Sequence, residues 1–131
     1  MITLKTLPQA TAQEVFDQIT QHLLKQGKAA ISSTGACRYR VEVQGEVLKC
    51  AAGCLIAKNE HSEKFEGEPW GFLVSLKLVP RTHNDLITSL QDMHDACLPS
   101  RWPERLRQLA EDYGLQYNPP AAIIIIETKN F

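Results

Sequence analysis

The stretch KCAAGCLI, residues 49–56, places two cysteines four positions apart in an apolar run that follows a strand-like segment. If a helix begins at Cys50, its thiol lies beside unpaired backbone amides and the positive end of a helix dipole, and both features lower a thiol pKa. Cys50 is therefore a candidate nucleophile, with His94 as its general base and Asp95 as the carboxylate that orients the histidine. Adjacent helical residues point about 100° apart, which counts against Asp95 in this role.

A structural role in the core also accounts for these cysteines and for His94. Cysteine is among the most often buried residue types and behaves as a small hydrophobic residue. His94 lies on an apolar helical stripe with Leu90 and Cys97, where a hydrogen-bonded core histidine is common. The cysteine spacing also matches no local signature of a cysteine protease. Cys54 is accordingly expected to pack in the core, whereas Cys50 stays open between packing and catalysis.

A zinc site is a third interpretation of the cysteines. Cys50 and Cys54 are one helical turn apart, His94 and Cys97 are three positions apart, and Cys37 could replace any one of the four. Four such nitrogen and sulfur ligands would suit tetrahedral zinc. Structural zinc sites usually take one ligand pair from a tight turn with two intervening residues, and this sequence has no pair of cysteines at that spacing. No metal and no other cofactor is therefore predicted.

The segment CRYRVEV offers a binding surface. Arg38 and Arg40 lie on one face of the predicted strand with Tyr39 on the other. Two guanidinium groups at this spacing can bind a phosphate, a carboxylate or RNA. Lys49 would extend the surface if a hairpin returns it nearby. Such arginines more often form a solvated or ion-paired strand face.

Composition limits the class of protein. A chain of 131 residues with 44% hydrophobic residues is expected to form a single domain over 1–131. Because 14 basic residues nearly balance 15 acidic ones, there is no overall positive field, and a nucleic-acid partner is not favoured. The N-terminus lacks the pattern of a signal peptide, and the one dense apolar run is shorter than the about 20 residues that span a bilayer. We therefore expect a cytoplasmic protein with reduced cysteines and no membrane partner.

Helical patterns would position most of these residues. Thr11 and Glu14 have the spacing of a capping box, and Gly27 is suited to end the helix that begins there. Apolar residues at helical spacing predict a second helix over 82–98 and a third that begins at Pro103. KCAAGCLI lacks polar alternation and fits a short buried helix.

Strand patterns complete the predicted fold. Residues 38–48 alternate on both sides of a QG turn and predict a β-hairpin, and residues 2–7 alternate like a short strand. The stretch PWGFLVSLKLVP fits either a short helix or a strand. The sequence thus predicts an α+β domain with three main helices and one short buried helix on a small antiparallel sheet, with the N-terminal segment or the tail at the edge of the sheet.

The tail over 116–131 is rich in isoleucine. Its four consecutive residues Ile123, Ile124, Ile125 and Ile126 are strand formers. Such a run is an aggregation hazard when it is exposed. We expect it to be covered, either as a strand of the sheet or as an interface that could form a homodimer.

Four motifs together resemble those of a known family. LPQATAQEVFDQI, GACRYR, LKCAAGCLI and LQDMHD are similar to a C-x-Y-R, L-K-C-A-x-G-C-L-I and L-Q-x-x-H-D series in small uncharacterised proteins of bacterial genomes, prophages, phages and mobile elements. The resemblance covers about residues 1–114, and Cys97 lies outside the pattern. It directs attention to Cys37, Tyr39, Arg40, Cys50, Gly53, Cys54, His94 and Asp95.

The resemblance implies a mobile-element setting, in which a small protein could modulate a host process such as a defence system by binding. Our first hypothesis is therefore a non-enzymatic accessory protein whose partner is a host or element-encoded protein. The alternative is a cysteine-dependent hydrolase or transferase, with Cys50 as nucleophile, His94 as base and Arg40 as the ligand of an anionic substrate group. A zinc-stabilised binding module is the third hypothesis.

Overall fold

The computed structural model describes residues 1–121 of the chain. The isoleucine run that was predicted to pair or to form an interface lies outside the described residues. The described chain contains four α-helices, α1 Ala12–Gln26, α2 Trp70–Ser75, α3 Asn84–Ala96 and α4 Trp102–Asp112. It also contains strands β1 Arg40–Val43 and β2 Glu46–Lys49, and four 3₁₀ helices, Leu7–Gln9, Ala52–Leu55, Glu63–Phe65 and Pro99–Arg101.

The predicted α+β fold class is confirmed. Helices α1, α3 and α4 are the three main predicted helices, and the 3₁₀ helix Ala52–Leu55 is the short buried one. The stretch PWGFLVSLKLVP, which fitted either a short helix or a strand, contains the six-residue helix α2. The three long helices, the short 3₁₀ helix and one face of the hairpin enclose a common core that includes the fully buried Trp70 and Trp102.

Helix α1 begins and ends where the sequence predicts. The Thr11 hydroxyl accepts the Glu14 N–H at 3.1 Å, and the Glu14 carboxylate accepts the Thr11 N–H at 2.9 Å, so the capping box is complete. Gly27 ends the helix in the left-handed conformation, with φ 67°, and its N–H donates to the carbonyl of Leu23. The apolar face of α1 packs into the core, which leaves its glutamine-rich face free to contact other segments.

The hairpin also forms as predicted. β1 and β2 are antiparallel, and the register pairs Arg40 with Lys49 and Val43 with Glu46. The turn residues Gln44 and Gly45 both have positive φ, 52° and 80°, as a two-residue turn of this hand requires. Because the register is fixed by this short turn, Lys49 lies directly opposite Arg40.

The predicted N-terminal strand is wrong. Residues 2–7 form turns and the start of a 3₁₀ helix, and they do not lie at the edge of the sheet. Side chains take the backbone groups that a strand would need, since Ile2 exchanges two hydrogen bonds with the Gln18 amide and the Leu4 and Lys5 N–H groups donate to the Glu60 carboxylate. The alternating pattern predicted a strand. It could not indicate these partners, because they are remote in the sequence.

Glu60 supports a pH-dependent prediction. Burial raises the pKa of Glu60, but hydrogen bonds from the N–H groups of Ala57, Leu4 and Lys5 together lower it by more. The folded-state pKa therefore lies below its ordinary value. A depressed carboxylate pKa contributes stability above the unfolded-state pKa, and this contribution is lost as the pH falls through the folded-state pKa. Glu60→Gln should cost about 1 kcal/mol at neutral pH, because its NH₂ group cannot accept an N–H.

The measurement for Glu60 is urea unfolding at several pH values. Wild-type protein should lose stability between about pH 5 and pH 3 more steeply than Glu60→Gln. Glu111→Gln is the control, because the Glu111 side chain is exposed and makes no hydrogen bond or ion pair within residues 1–121. Equal slopes for wild type and Glu60→Gln would contradict the prediction.

Candidate functional site

Cys50 is a buried thiol. It is 1% exposed, and its Sγ accepts the Gly53 N–H at 3.3 Å. Burial raises the pKa of Cys50 well above its ordinary value, although the Gly53 hydrogen bond acts in the opposite direction. The backbone amide expected at the start of a helix is therefore present, but desolvation outweighs it and keeps the thiol protonated at neutral pH.

His94 is a core residue whose two ring nitrogens are both engaged. Its Nε2 lies 3.1 Å from the N–H of Ala30, so Nε2 is the acceptor and the proton is assigned to Nδ1, which donates to Asp95 Oδ1 at 2.8 Å. The ring is 1% exposed and stacks on Trp102 with 5.5 Å between centroids. Asp95 thus orients His94 although the two residues are adjacent on α3. No hydrogen bond joins His94 to Cys50 in the described chain.

The predicted zinc ligands make other contacts. The Cys54 thiol donates to the carbonyl of Ala51 at 3.2 Å, and burial raises its pKa to about 12. Cys37 is exposed, and both nitrogens of His94 are occupied. Within residues 1–121, no group of three or more histidine, cysteine, aspartate or glutamate residues is arranged to hold a metal ion. Neither the set of Cys50, Cys54, His94 and Cys97 nor the replacement by Cys37 comes together there.

Cys37 and Cys50 line one cavity of about 310 Å³, together with Tyr39, Trp70 and Asp95. Partial desolvation raises the pKa of Cys37, and the Asp95 carboxylate raises it further. Both thiols are therefore protonated at neutral pH, and His94 has no free nitrogen to deprotonate either of them. The cavity offers neither the thiolate nor the base that the catalytic hypothesis requires.

Two of the four predicted binding residues have structural contacts. Arg38 forms two hydrogen bonds to Glu63, at 2.8 and 3.1 Å, and lies 3.8 Å from Glu66. Tyr39 is 6% exposed, and its hydroxyl donates to the carbonyl of Glu68. Arg38 is therefore an ion-paired arginine that precedes β1, and Tyr39 belongs to the core.

The other two, Arg40 and Lys49, lie side by side in a groove. The groove has a volume of about 860 Å³, lies between α1 and the hairpin, and is also lined by Lys25 and Val47. The side chains of Lys25, Arg40 and Lys49 make no ion pair and no hydrogen bond within the described part of the chain. The hairpin register thus brings two predicted binding residues together, and α1 adds a third cation.

The two acidic side chains in the groove form no ion pair with these cations. Glu46 pairs with Lys28 at 3.1 Å. Asp17 accepts hydrogen bonds from the amides of Gln13 and Asn118. The groove therefore keeps three cationic groups available to a ligand.

Two polar residues that the sequence analysis did not single out hold Lys49 in place. Gln26 accepts the Lys49 N–H at 3.0 Å and donates to the Lys49 carbonyl at 2.9 Å. His22 lies 2.9 Å from the same carbonyl, and burial lowers its pKa, so the neutral ring donates through Nε2. The glutamine-rich face of α1 was the signal that could have indicated these contacts.

Glu66 performs the corresponding role at β1. Its carboxylate accepts the N–H groups of Tyr39 at 2.8 Å and Arg40 at 3.3 Å, and it lies 2.7 Å from His61 Nε2. The side chain is only 7% exposed. A glutamate in a charged loop gives no sequence signal for this contact, because its partners are more than 20 positions away.

Comparison with known proteins does not indicate a function for the groove or the cavity. A scan against protein-family models, a search of curated proteins and a search of solved structures found no match. The resemblance to small phage and prophage proteins therefore stays a prediction. Among residues 1–121, no helix has both the length and the apolar character needed to cross a bilayer.

Proposed function

We propose that this protein is a non-enzymatic binding protein that holds an acidic segment of a partner protein in the groove between α1 and the hairpin. One observation carries the proposal: Lys25, Arg40 and Lys49 converge on this groove without an ionic partner in the described chain. Side chains arranged in this way attract carboxylates and give an interface its specificity.

The chemistry of the groove favours a protein segment over nucleic acid. The formal net charge of the chain is −1, so no long-range field directs it to a phosphate backbone. Val47 is 43% exposed beside the cations, and it would suit an apolar side chain of a peptide.

The contacts of Cys50 and His94 support binding over catalysis. Both are buried, and each makes hydrogen bonds that a reactive pair would have to break. The enzyme hypothesis has no comparable structural support. Modulation of a host macromolecule, a mobile-element origin and a cytoplasmic location remain predictions that rest on the sequence.

Charge reversal in the groove tests the proposal. The full chain, immobilised, should retain acidic proteins from a bacterial extract, and Arg40→Glu/Lys49→Glu should reduce this retention at least about tenfold, because like charges would then face the partner. Retained proteins are quantified by mass spectrometry. A 30-base-pair DNA duplex is added in a parallel sample as competitor.

The matched control is Lys64→Glu/Arg105→Glu. It makes the same change in net charge at exposed residues outside the groove, and it should retain the same proteins as wild type. Equal losses in the two double variants would mean that only net charge matters. Displacement by the DNA duplex would show that the groove binds nucleic acid. Either result would contradict the proposal.

A further inference from the structure

The edge of β2 that faces the groove has one open position. Along an antiparallel strand, residues alternate between those whose N–H and C=O point to the paired strand and those whose groups point away. Lys49 points away from β1, because its N–H and C=O bond to Gln26. Val47, two positions earlier, points the same way, and its N–H and C=O have no hydrogen-bond partner within residues 1–121.

Gln26 closes the rest of this edge as a neighbouring strand would. Its Oε1 accepts the N–H of Lys49 and its Nε2 donates to the carbonyl of the same residue. A residue in an added strand makes the same pair of hydrogen bonds. The edge is therefore closed at Lys49 and open at Val47, beside the groove.

The outer face of the hairpin indicates what an added strand would contain. Side chains two apart on a strand, and those directly opposite on its partner, share a face. Val47, Lys49 and Arg40 therefore present one apolar and two cationic groups together, and Glu42, opposite Val47 on β1, adds one carboxylate to the same face. A strand paired at Val47 would place every second side chain beside these cations, where a carboxylate is favoured.

We propose that an extended segment of a partner protein, with acidic residues at alternate positions, pairs with β2 at Val47 as an added strand. This inference rests on the proposed function and specifies how the groove binds its partner. Nucleic acid is not suited to this position, because it has no peptide N–H and C=O groups with which to continue the sheet.

The test uses a defined probe, a fluorescent decapeptide of alternating valine and glutamate. We expect it to bind the full chain, measured by fluorescence anisotropy, and a peptide of alternating valine and lysine to bind at least about tenfold more weakly. On saturation with the acidic peptide, hydrogen exchange at the Val47 amide should slow at least about tenfold, because that N–H becomes hydrogen-bonded. The exchange rate at the Glu42 amide should not change.

Proline variants give a second measurement. Val47→Pro removes the outward N–H at the groove edge, and Glu42→Pro removes its cross-strand counterpart at the opposite edge. Neither N–H belongs to the β1–β2 ladder. Val47→Pro should weaken peptide binding at least about tenfold, whereas Glu42→Pro, which also removes a carboxylate from the face that Val47 shares, should not weaken it. Far-ultraviolet circular dichroism checks that each variant is folded, and the exchange measurement on wild type is decisive if one is not.

Several results would overturn the strand-addition model. Absence of binding by the acidic peptide, or binding that leaves Val47 exchange unchanged, would exclude it. The proposed function would still stand if charge reversal in the groove abolished capture of acidic proteins. Slow exchange at Val47 in the free protein would mean that this chain already covers the edge. If slow exchange at the Val47 amide depended on protein concentration, a second copy of this chain would be the segment that pairs with the edge.

Discussion

Replacing Gly53 by alanine should destabilise the fold by about 3 kcal/mol or more, the upper range for overpacking a core. A Cβ at this position would overlap the carbonyl oxygen of Tyr39 and lie 2.9 Å from its carbonyl carbon. The obstacle is backbone, so no side-chain rotation can relieve it. Tyr39 is held by a hydrogen bond from its N–H to Glu66 and by another from its hydroxyl to Glu68, which limits its retreat.

Gly71→Ala is the matched control for this prediction. No atom lies within 4 Å of a Cβ built at Gly71, and the residue belongs to helix α2. Alanine there should be neutral or stabilising by up to about 1 kcal/mol, because glycine is a poor helix former. Urea unfolding of the two variants gives the comparison. A Gly53→Ala protein as stable as wild type would mean that the 3₁₀ helix does not pack against the Tyr39 backbone as described.

The parts of the fold that could be predicted depend on sequence signals between neighbouring residues. The capping box at Thr11, the stop at Gly27 and the two-residue turn at Gln44 act over a few positions, and each formed as the sequence indicated. The hairpin register then placed Lys49 opposite Arg40. The part of the candidate site that depends on this turn was therefore accessible from sequence.

The parts of the fold and of the candidate site that could not be predicted depend on contacts between residues remote in the sequence. Gln26 reaches Lys49 across 23 positions, and Ile2 contacts Gln18 across 16. A polar helix face or an alternating segment has the same sequence pattern whether its groups meet water or a distant backbone. The same limit applied to His94, since a base and a core histidine both fit an apolar stripe.

His94→Ala should destabilise the fold by about 3–5 kcal/mol, because two costs arise at one buried position. The Ala30 N–H, 64 positions away in the sequence, would lose its acceptor inside the core. Removal of the ring would also leave a cavity against Trp102, on which the imidazole stacks. A catalytic histidine at the floor of an open pocket could be replaced at little cost in stability, so thermal and urea unfolding separate the two roles.

Asp95→Asn isolates the contribution of the ring from that of its carboxylate partner. Asparagine keeps an oxygen that can accept the Nδ1 proton of His94, and the Asp95 side chain is 40% exposed, so its replacement should cost less than about 1 kcal/mol. The expected order of stability is wild type, then Asp95→Asn, then His94→Ala. A His94→Ala protein that unfolds at the same urea concentration as wild type would contradict the structural role.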